Sequence, residues 1–348
     1  MLTDSISLAL GYQHSIILKP DGSVWSTAVV LNSHGPSSDV SKHFVRVLPK
    51  GAIAVDAGKY HNIALMQDGS VWSTAQNSAG KIWFTAQSAT HHFGDRGSTS
   101  KGTFFFVQMI YGAKAVAMGD FHSMVLTKYG HVWSTGLNER AQLGDQLDDD
   151  STLDKATFVR VISSGSRVVA MAAGDAHSVV VKKDGSVWAT GRNYYGQLGD
   201  GSTDDKTDFV KAMSSGAAHV AAGSYHSLVV KRGGSVWATG RNEYGQLGDG
   251  TTTDSVDYTQ VVPSGAKAVA AGSRHSMVLK QHGSVWATGY NIYGQLGDGS
   301  TINRRDFVQV IYNDADAIAA GGFHSMVLKK MVIFGRRVRT SMVNLAMA

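Results

Sequence analysis

One stretch of this chain recurs along its length, and this repetition constrains the fold more than any other feature. Residues 272–299 read GSRHSMVLKQHGSVWATGYNIYGQLGDG. Residues 223–250 and 174–201 carry nearly the same sequence. Such repetition is typical of proteins in which each unit buries its apolar face against its neighbours.

Two residues mark each unit, a histidine in a Gly-x-x-His step and a tryptophan eleven residues later. The histidines, 47 to 61 residues apart, are His14, His61, His122, His177, His226, His275 and His324. The tryptophans are Trp25, Trp72, Trp133, Trp188, Trp237 and Trp286, and the seventh unit has none. The sequence therefore predicts seven units, at about 5–51, 52–112, 113–167, 168–216, 217–265, 266–314 and 315–335.

Each unit contains four short runs rich in Val, Trp and Phe and separated by glycines, which predicts four strands. Gly185, Gly234 and Gly283 are placed to provide the positive φ of a hairpin turn between the second and third strands. Four-stranded antiparallel sheets repeated radially form a β-propeller, an all-β fold that protects strand edges. We therefore expect a seven-bladed β-propeller.

The predicted domain organisation follows from the size of a unit. Forty-nine residues are too few for an independent core, so residues 1–335 are expected to form a single propeller. The last blade is expected to be degenerate, because the seventh unit lacks the hairpin glycine, the tryptophan and the GQLGDG loop. Residues 336–348 are predicted to be a basic C-terminal tail.

Composition narrows the classes of function. The chain has no cysteine, which excludes disulfides and thiolate nucleophiles. The net charge of +5 arises in the last stretch, at Lys329, Lys330, Arg336, Arg337 and Arg339, so residues 1–328 are balanced and nucleic-acid binding by the body is not expected. There is no basic leader, and no apolar run approaches the roughly 20 residues of a membrane span. We expect a soluble protein of the cytoplasm or nucleus.

The repeated motifs resemble those of a known family. Gly-x-x-His-Ser, Val-Trp-Ala-Thr-Gly and Asn-x-Tyr-Gly-Gln-Leu-Gly-Asp-Gly are similar to the repeat of the regulator of chromosome condensation family, over residues 7 to about 328 and most strongly over 174–312. The resemblance implies a seven-bladed propeller. Family members include exchange factors for the GTPase Ran, ubiquitin ligases and a plant UV-B photoreceptor, so the fold does not fix the function. Light sensing is disfavoured, because the Gly-x-x-His steps lack that photoreceptor's tryptophans.

Most of the repeated residues are predicted to be structural. Seven equivalent histidines are expected to hydrogen-bond neighbouring backbone, and the tryptophans to fill the gaps between blades. The chain shows no acid–base pair, nucleophile triad or phosphate-binding loop. Asp148, Asp149 and Asp150 lack EF-hand spacing, and adjacent His91 and His92 lack a third ligand. We predict no enzyme activity, no cofactor and no metal.

The informative positions are the two residues between Gly and His in each step, which differ from unit to unit. In the family the resemblance points to, loops at this step line one face of the propeller and contribute to partner contacts. Aromatic and charged residues are typical of protein interfaces. The candidate partner-binding residues are Tyr12, Lys59, Tyr60, Asp120, Phe121, Asp175, Tyr225, Arg274 and Phe323. The alternative is that these are exposed loops without a partner.

The second unit contains an insertion, IWFTAQSATHH, at residues 82–92. An insertion in a repeat protein loops out on one face, which is often the binding face. Trp83 and Phe84 make this loop a second candidate contact site. Alternatively, the two side chains pack back onto their own blade.

The function predicted from the sequence is a non-catalytic protein-interaction scaffold. The competing hypothesis is a guanine nucleotide exchange factor or regulator of a small GTPase, with residues 82–92 as the wedge that displaces nucleotide. A third hypothesis is a fragment or divergent copy without retained activity, because the last unit is broken.

Overall fold

The structure is a computed structural model that describes most of the chain. The described residues are 7–27, 44–59, 61–75, 105–110, 112–145, 153–163, 165, 167–330, 332–334, 337–339 and 342–344. They form an all-β propeller, in which short antiparallel sheets follow one another along the chain.

Six sheets have four strands each, and within each sheet the strands pair in chain order. The first is β1 (Ser7–Leu10), β2 (Ser15–Leu18), β3 (Val24–Ser26) and β4 (Val45–Leu48). The second is β5 (Ala52–Ala57), β6 (His61–Met66), β7 (Ser70–Ala75) and β8 (Phe105–Met109). The third is β9 (Ala113–Met118), β10 (His122–Thr127), β11 (Val132–Gly136) and β12 (Lys155–Ile162).

The next three sheets are near copies of one another, as their sequences predict. The fourth is β13 (Val168–Ala173), β14 (His177–Lys182), β15 (Val187–Gly191) and β16 (Lys206–Met213). The fifth is β17 (Ala217–Ala222), β18 (His226–Lys231), β19 (Val236–Gly240) and β20 (Ser255–Val262). The sixth is β21 (Ala266–Ala271), β22 (His275–Lys280), β23 (Val285–Gly289) and β24 (Arg304–Ile311).

The described residues thus form six complete blades, and the prediction of seven blades, the last of them degenerate, is wrong in their number. A further sheet has three strands, β25 (Ala315–Ala320), β26 (Ser325–Lys329) and β29 (Met342–Asn344). Between β26 and β29 lies a separate hairpin of β27 (Val332–Phe334) and β28 (Arg337–Arg339). Two strands therefore occupy part of residues 336–348, where the sequence predicted only a tail.

The three-stranded sheet closes the ring between the sixth blade and the first. The N–H of Gly322 donates to the carbonyl of Gly11 at 3.1 Å. The His324 ring and the Ser15 hydroxyl lie 3.0 Å apart, and the rings of Phe323 and Tyr12 are 5.0 Å apart. The two ends of the propeller are thus joined by the kinds of contact that join its other blades.

The hairpin glycines have the backbone conformation that their sequence context predicts. Gly185, Gly234 and Gly283 have φ of 83°, 78° and 87°, a region that residues with a side chain rarely adopt. In the six four-stranded sheets the pairing of the third strand with the fourth shifts register between Val and Trp, as at Val187 and Trp188. A bulge at this point increases the local twist of the sheet.

The hydrophobic core lies between consecutive sheets. One cluster, for example, combines Met124 and Val132 of the third blade with Val168 and Val180 of the fourth. Each sheet is too small to bury its apolar face alone, so the stability of each blade depends on its neighbours.

Candidate functional site

The Gly-x-x-His steps connect the first and second strands of each sheet, and the Asn-x-Tyr-Gly loops connect the third and fourth. Because the strands are antiparallel, both connections lie at the same end of the blade. We call this end the rim face, and we call the two residues between Gly and His of each step the rim residues. The hairpin glycines lie on the opposite face.

The glycine of each step allows neighbouring blades to approach. A Cβ atom built on Gly174 would lie 2.2 Å from Cε1 of His177 and 2.4 Å from the carbonyl oxygen of Gly223 in the next blade. Gly223 and Gly272 are equally crowded. The step therefore requires glycine for close packing between blades.

The seven histidines form a ring of hydrogen bonds between blades. In each case Nε2 faces the side chain that follows the histidine in the next blade. The pairs are His14–Asn62, His61–Ser123, His122–Ser178, His177–Ser227, His226–Ser276, His275–Ser325 and His324–Ser15, and the six that involve serine measure 2.8 to 3.4 Å. The histidines thus connect blades, and the partner of Nε2 is a side chain and not the backbone that the sequence predicts.

The serines fix the direction of these bonds. The hydroxyls of Ser178, Ser227 and Ser276 donate to backbone carbonyls of the preceding blade at 2.6 to 2.7 Å, so each accepts from a histidine Nε2–H. Burial lowers the pKa of His122, His177 and His275 to about 3. These three rings are therefore uncharged at pH 7, and each donates its hydrogen bond as a neutral imidazole.

Five of the six repeat tryptophans lie in the gaps between blades. Trp72, Trp133 and Trp188 each pack against a core cluster that combines their own blade with the preceding one, and Trp237 and Trp286 do the same. The Trp188 indole N–H donates to Ser186 at 2.9 Å, and Lys182 lies 3.4 Å above its ring. The contacts of Trp188 are therefore those of a side chain packed between two blades.

Four rim residues of the first three blades lie close together around Lys59. The Lys59 ammonium lies 5.1 Å from the Tyr12 ring, 5.3 Å from the Phe121 ring and 3.9 Å from the Asp120 carboxylate. Phe121 is 41% exposed. Tyr60, Trp83 and Phe84 lie outside the described residues, and their roles stay predictions.

Asp120 and Asp175 form an acidic pair where the third blade meets the fourth. Burial, followed by the Asp175 charge, raises the pKa of Asp120 to about 7, and Lys59 opposes the shift. Burial and Asp175 also raise the pKa of the Tyr225 hydroxyl to about 12. The described carboxylates and histidines include no group of three or more that could hold a metal ion.

This acidic pair gives a pH-dependent prediction. A carboxyl group whose pKa is raised in the folded state stabilises that state below about pH 4, and this contribution is lost as the pH rises through about 7. We expect Asp120→Asn to raise the melting temperature at pH 8 by about 2 °C or more, and to change it little at pH 4. Asp204→Asn, an exposed site, is the control. An equal shift at both pH values would contradict the assignment. The buried histidines respond to pH in the opposite sense, but equally in both proteins.

The structure adds residues that the sequence analysis did not select. Arg192, Arg241 and Tyr290 each stand between the Gly and Asn of their unit, while Tyr195 and Tyr244 belong to Asn-x-Tyr. The Arg241 guanidinium lies 4.7 Å from the Tyr195 ring, and the Arg192 guanidinium lies 5.2 Å from the Tyr225 ring. Arg192, Arg241 and Tyr290 could have been identified from the sequence, because the residue between Gly and Asn varies from unit to unit.

The fourth to sixth blades repeat one contact on the rim face. A loop tyrosine of one blade packs on the rim residues of the next, as Tyr195 does on Tyr225 at 5.4 Å and Tyr293 on Phe323 at 5.4 Å. In the same way the Arg274 guanidinium lies 5.2 Å from the Tyr244 ring and donates to its hydroxyl at 3.2 Å. The rim face is therefore a continuous surface of aromatic and charged side chains.

This surface surrounds the mouth of a central cavity. The cavity, of about 260 Å³, is lined by the ends of the first strands and the steps that follow them in all seven sheets. Asp56, Asp120 and Asp175 reach it. Burial raises the pKa of Asp56 to about 6, although the N–H groups of Ala57 and Met118 donate to its carboxylate.

The fold and the rim define a class of protein, the propellers built from repeats with a Gly-x-x-His step. A family model described as RCC1-like domain matches residues 2–327. The chain belongs to this family.

Curated relatives match only part of the chain and a small part of their own length. The X-linked retinitis pigmentosa GTPase regulator of Homo sapiens is 30% identical over 39% of this chain and 11% of that protein. The Regulator of chromosome condensation of Drosophila melanogaster is 30% identical over 30% of this chain and 20% of that protein. The matched stretches cover too little of either relative to assign the activity of that whole protein to this chain.

Solved structures share the fold. Human WBSCR16 superposes with a TM-score of 0.78 at 21% identity, covering 95% of this chain and 88% of that one. Prp20p from Saccharomyces cerevisiae, whose structure was described with its binding to Gsp1p and histones, gives 0.76 at 21% identity, covering 92% and 81%. In the described part of the chain no helix is long and apolar enough to cross a membrane.

Proposed function

We propose that this protein is a non-catalytic interaction module that binds a protein partner through its rim face. The observation that carries the proposal is the chain of contacts from Tyr293 through Phe323, Tyr12 and Lys59 to Phe121. These residues come from five different sheets and meet on one surface. Aromatic side chains interleaved with charge are typical of the energetically important part of an interface.

The distribution of roles within a unit supports this proposal. The step glycine, the histidine and the tryptophan all have packing partners between blades. The rim residues differ from blade to blade, and those described are at least partly exposed except for the buried Ala176 and Gly322. They are therefore the positions at which one such propeller can differ from another in what it binds.

The proposal predicts which substitutions weaken binding of the partner. We expect Phe121→Ala combined with Phe323→Ala to reduce recovery of the partner by about tenfold or more, because interface aromatics carry much of the binding energy. Tyr312→Ala is the matched control, since Tyr312 is 79% exposed in a connection on the opposite face. The measurement is quantitative capture of partners from a native extract by the three proteins. Equal recovery by all three would refute the rim as the contact surface.

Residues 82–92 are proposed as a second contact site. The proposal rests on the sequence alone, because this loop lies outside the described residues. Capture by a chain lacking residues 82–92 tests it separately, and unchanged recovery would exclude the loop.

A second candidate function is regulation of a small GTPase. It is supported by the name of the human relative, a GTPase regulator, and by the description of Prp20p with Gsp1p. In this role the protein would accelerate nucleotide release without bond chemistry of its own. Release assays against a panel of small GTPases test the idea, and unchanged rates would remove it. A location in the cytoplasm or nucleus stays a prediction.

A further inference from the structure

Three guanidinium groups lie on the rim face of consecutive blades, each held against tyrosine rings. We call Arg192, Arg241 and Arg274, with the tyrosines they contact, the arginine arc. Arg192 lies over Tyr225, and Arg241 lies over Tyr195 and, at 5.7 Å, over Tyr225. Arg274 lies over Tyr244 and, at 5.9 Å, over Tyr290. A guanidinium stacked on a ring has a restricted orientation, with its N–H groups left at the edge of the stack.

The positive charge of the arc is only partly neutralised within the protein. Arg241 forms an ion pair with Glu243. Arg192 and Arg274 form no ion pair with any described carboxylate, and Arg274 donates to the neutral Tyr244 hydroxyl. Stacked arginines with unused donors are suited to binding a planar oxyanion through two parallel hydrogen bonds.

The acidic pair at the edge of the arc determines which oxyanion fits. Asp120 and Asp175 occupy the rim where the third blade meets the fourth, and Asp175 also contacts the Tyr225 hydroxyl. The negative charge of this pair repels a polyanion that extends past the arc and round the mouth of the cavity, as a nucleic-acid backbone would. A peptide segment with a short run of carboxylates, by contrast, is small enough to contact the arginine arc alone.

We propose that the arginine arc binds an acidic segment of a partner protein, with Arg192 and Arg274 pairing with glutamate or aspartate carboxylates. The tyrosines hold the guanidinium groups in place and provide the apolar surface for the segment's aliphatic carbons. This inference rests on the proposed function, because it specifies the chemistry of the partner at the same face.

The test uses fluorescence anisotropy of a labelled peptide that carries a short run of glutamates. The same peptide with glutamines and a short oligothymidylate are the comparison probes. We expect the glutamate peptide to bind more tightly than either comparison probe. Arg192→Gln combined with Arg274→Gln should weaken binding by roughly tenfold. The matched control is Arg232→Gln, which removes one positive charge from the turn between β18 and β19 on the opposite face.

Arg274→Lys separates the geometry of the guanidinium from its charge, because lysine retains the charge without the planar fork. We expect it to weaken binding of the glutamate peptide, though less than Arg274→Gln. Thermal unfolding of each variant verifies that it is folded.

Three outcomes would overturn the inference: no binding of the glutamate peptide, equal weakening by Arg232→Gln, or tighter binding of the oligothymidylate. None of them affects the proposed partner contact, which depends on Phe121 and Phe323 and is measured by capture. Conversely, equal capture by the variant with Phe121→Ala and Phe323→Ala would refute the proposed partner contact. The peptide-binding result would not be changed by that outcome.

Discussion

Replacing Gly174 with alanine is expected to destabilise the protein by about 3 kcal/mol or more, or to prevent folding. The added Cβ would lie 2.4 Å from the carbonyl oxygen of Gly223, a backbone atom in the next blade that cannot move without displacing that blade. It would also lie 2.2 Å from Cε1 of His177, whose ring is fixed by its bond to Ser227. The measurement is the free energy of unfolding from a urea titration.

The matched control for this substitution is Gly233→Ala in a hairpin turn. A Cβ at Gly233 would meet nothing within 4 Å, and the residue is not among those with positive φ. We expect a change of less than about 1 kcal/mol, because neither crowding nor backbone strain opposes the methyl group. If Gly174→Ala were as mild as the control, the close approach of blades at the step would be wrong.

Replacing His226 with alanine is expected to cost about 3 kcal/mol. The ring is fully buried, and its Nε2 lies 2.9 Å from the Ser276 hydroxyl in the next blade. The substitution leaves a cavity between blades and removes one hydrogen bond of the ring. Urea unfolding measures the cost.

His219→Ala is the control, because His219 lies exposed on β17 of the same blade and should change stability by less than about 0.5 kcal/mol. A double-mutant cycle with Ser276→Ala should give a coupling energy of about 1 kcal/mol. Additive effects would show that the two side chains contribute to stability independently and not as a pair.

Much of the fold could be predicted because the same local sequence signals recur in successive units. The spacing of histidine and tryptophan gives the number of units, and Gly185, Gly234 and Gly283 mark hairpin turns whose positive φ the structure shows. Valine-rich runs between glycines specify strands, and the short unit requires packing between sheets. The propeller follows from these local features.

The seventh sheet could not be predicted in the same way. Its third strand, Met342–Asn344, pairs with β26 after an intervening hairpin, and nothing in its sequence resembles the Val-Trp-Ala-Thr-Gly run it replaces. Pairing between strands distant in sequence is determined by the space that the ring leaves open. A prediction based on the repeat therefore cannot extend beyond the last residue that follows the repeat.

The candidate site was predicted in part, for a similar reason. Variation between Gly and His drew attention to Phe121, Asp175 and Arg274. The contacts of Tyr195 with the next blade and of Arg241 with the preceding blade were missed, because a contact between blades joins residues of different units. The same holds for the histidines: a serine follows most of them in the sequence, yet each serine bonds the histidine of the preceding blade.

The central claim is that the rim face, and not the hairpin face or the outer strands, binds the partner. Hydrogen–deuterium exchange of the protein with and without its purified partner tests it most directly. We expect slower exchange in the partner complex at residues 119–123 and 321–325, with residues 182–186 and 231–235 on the hairpin face unchanged. Protection confined to the hairpin face or to the outer strands would contradict the claim.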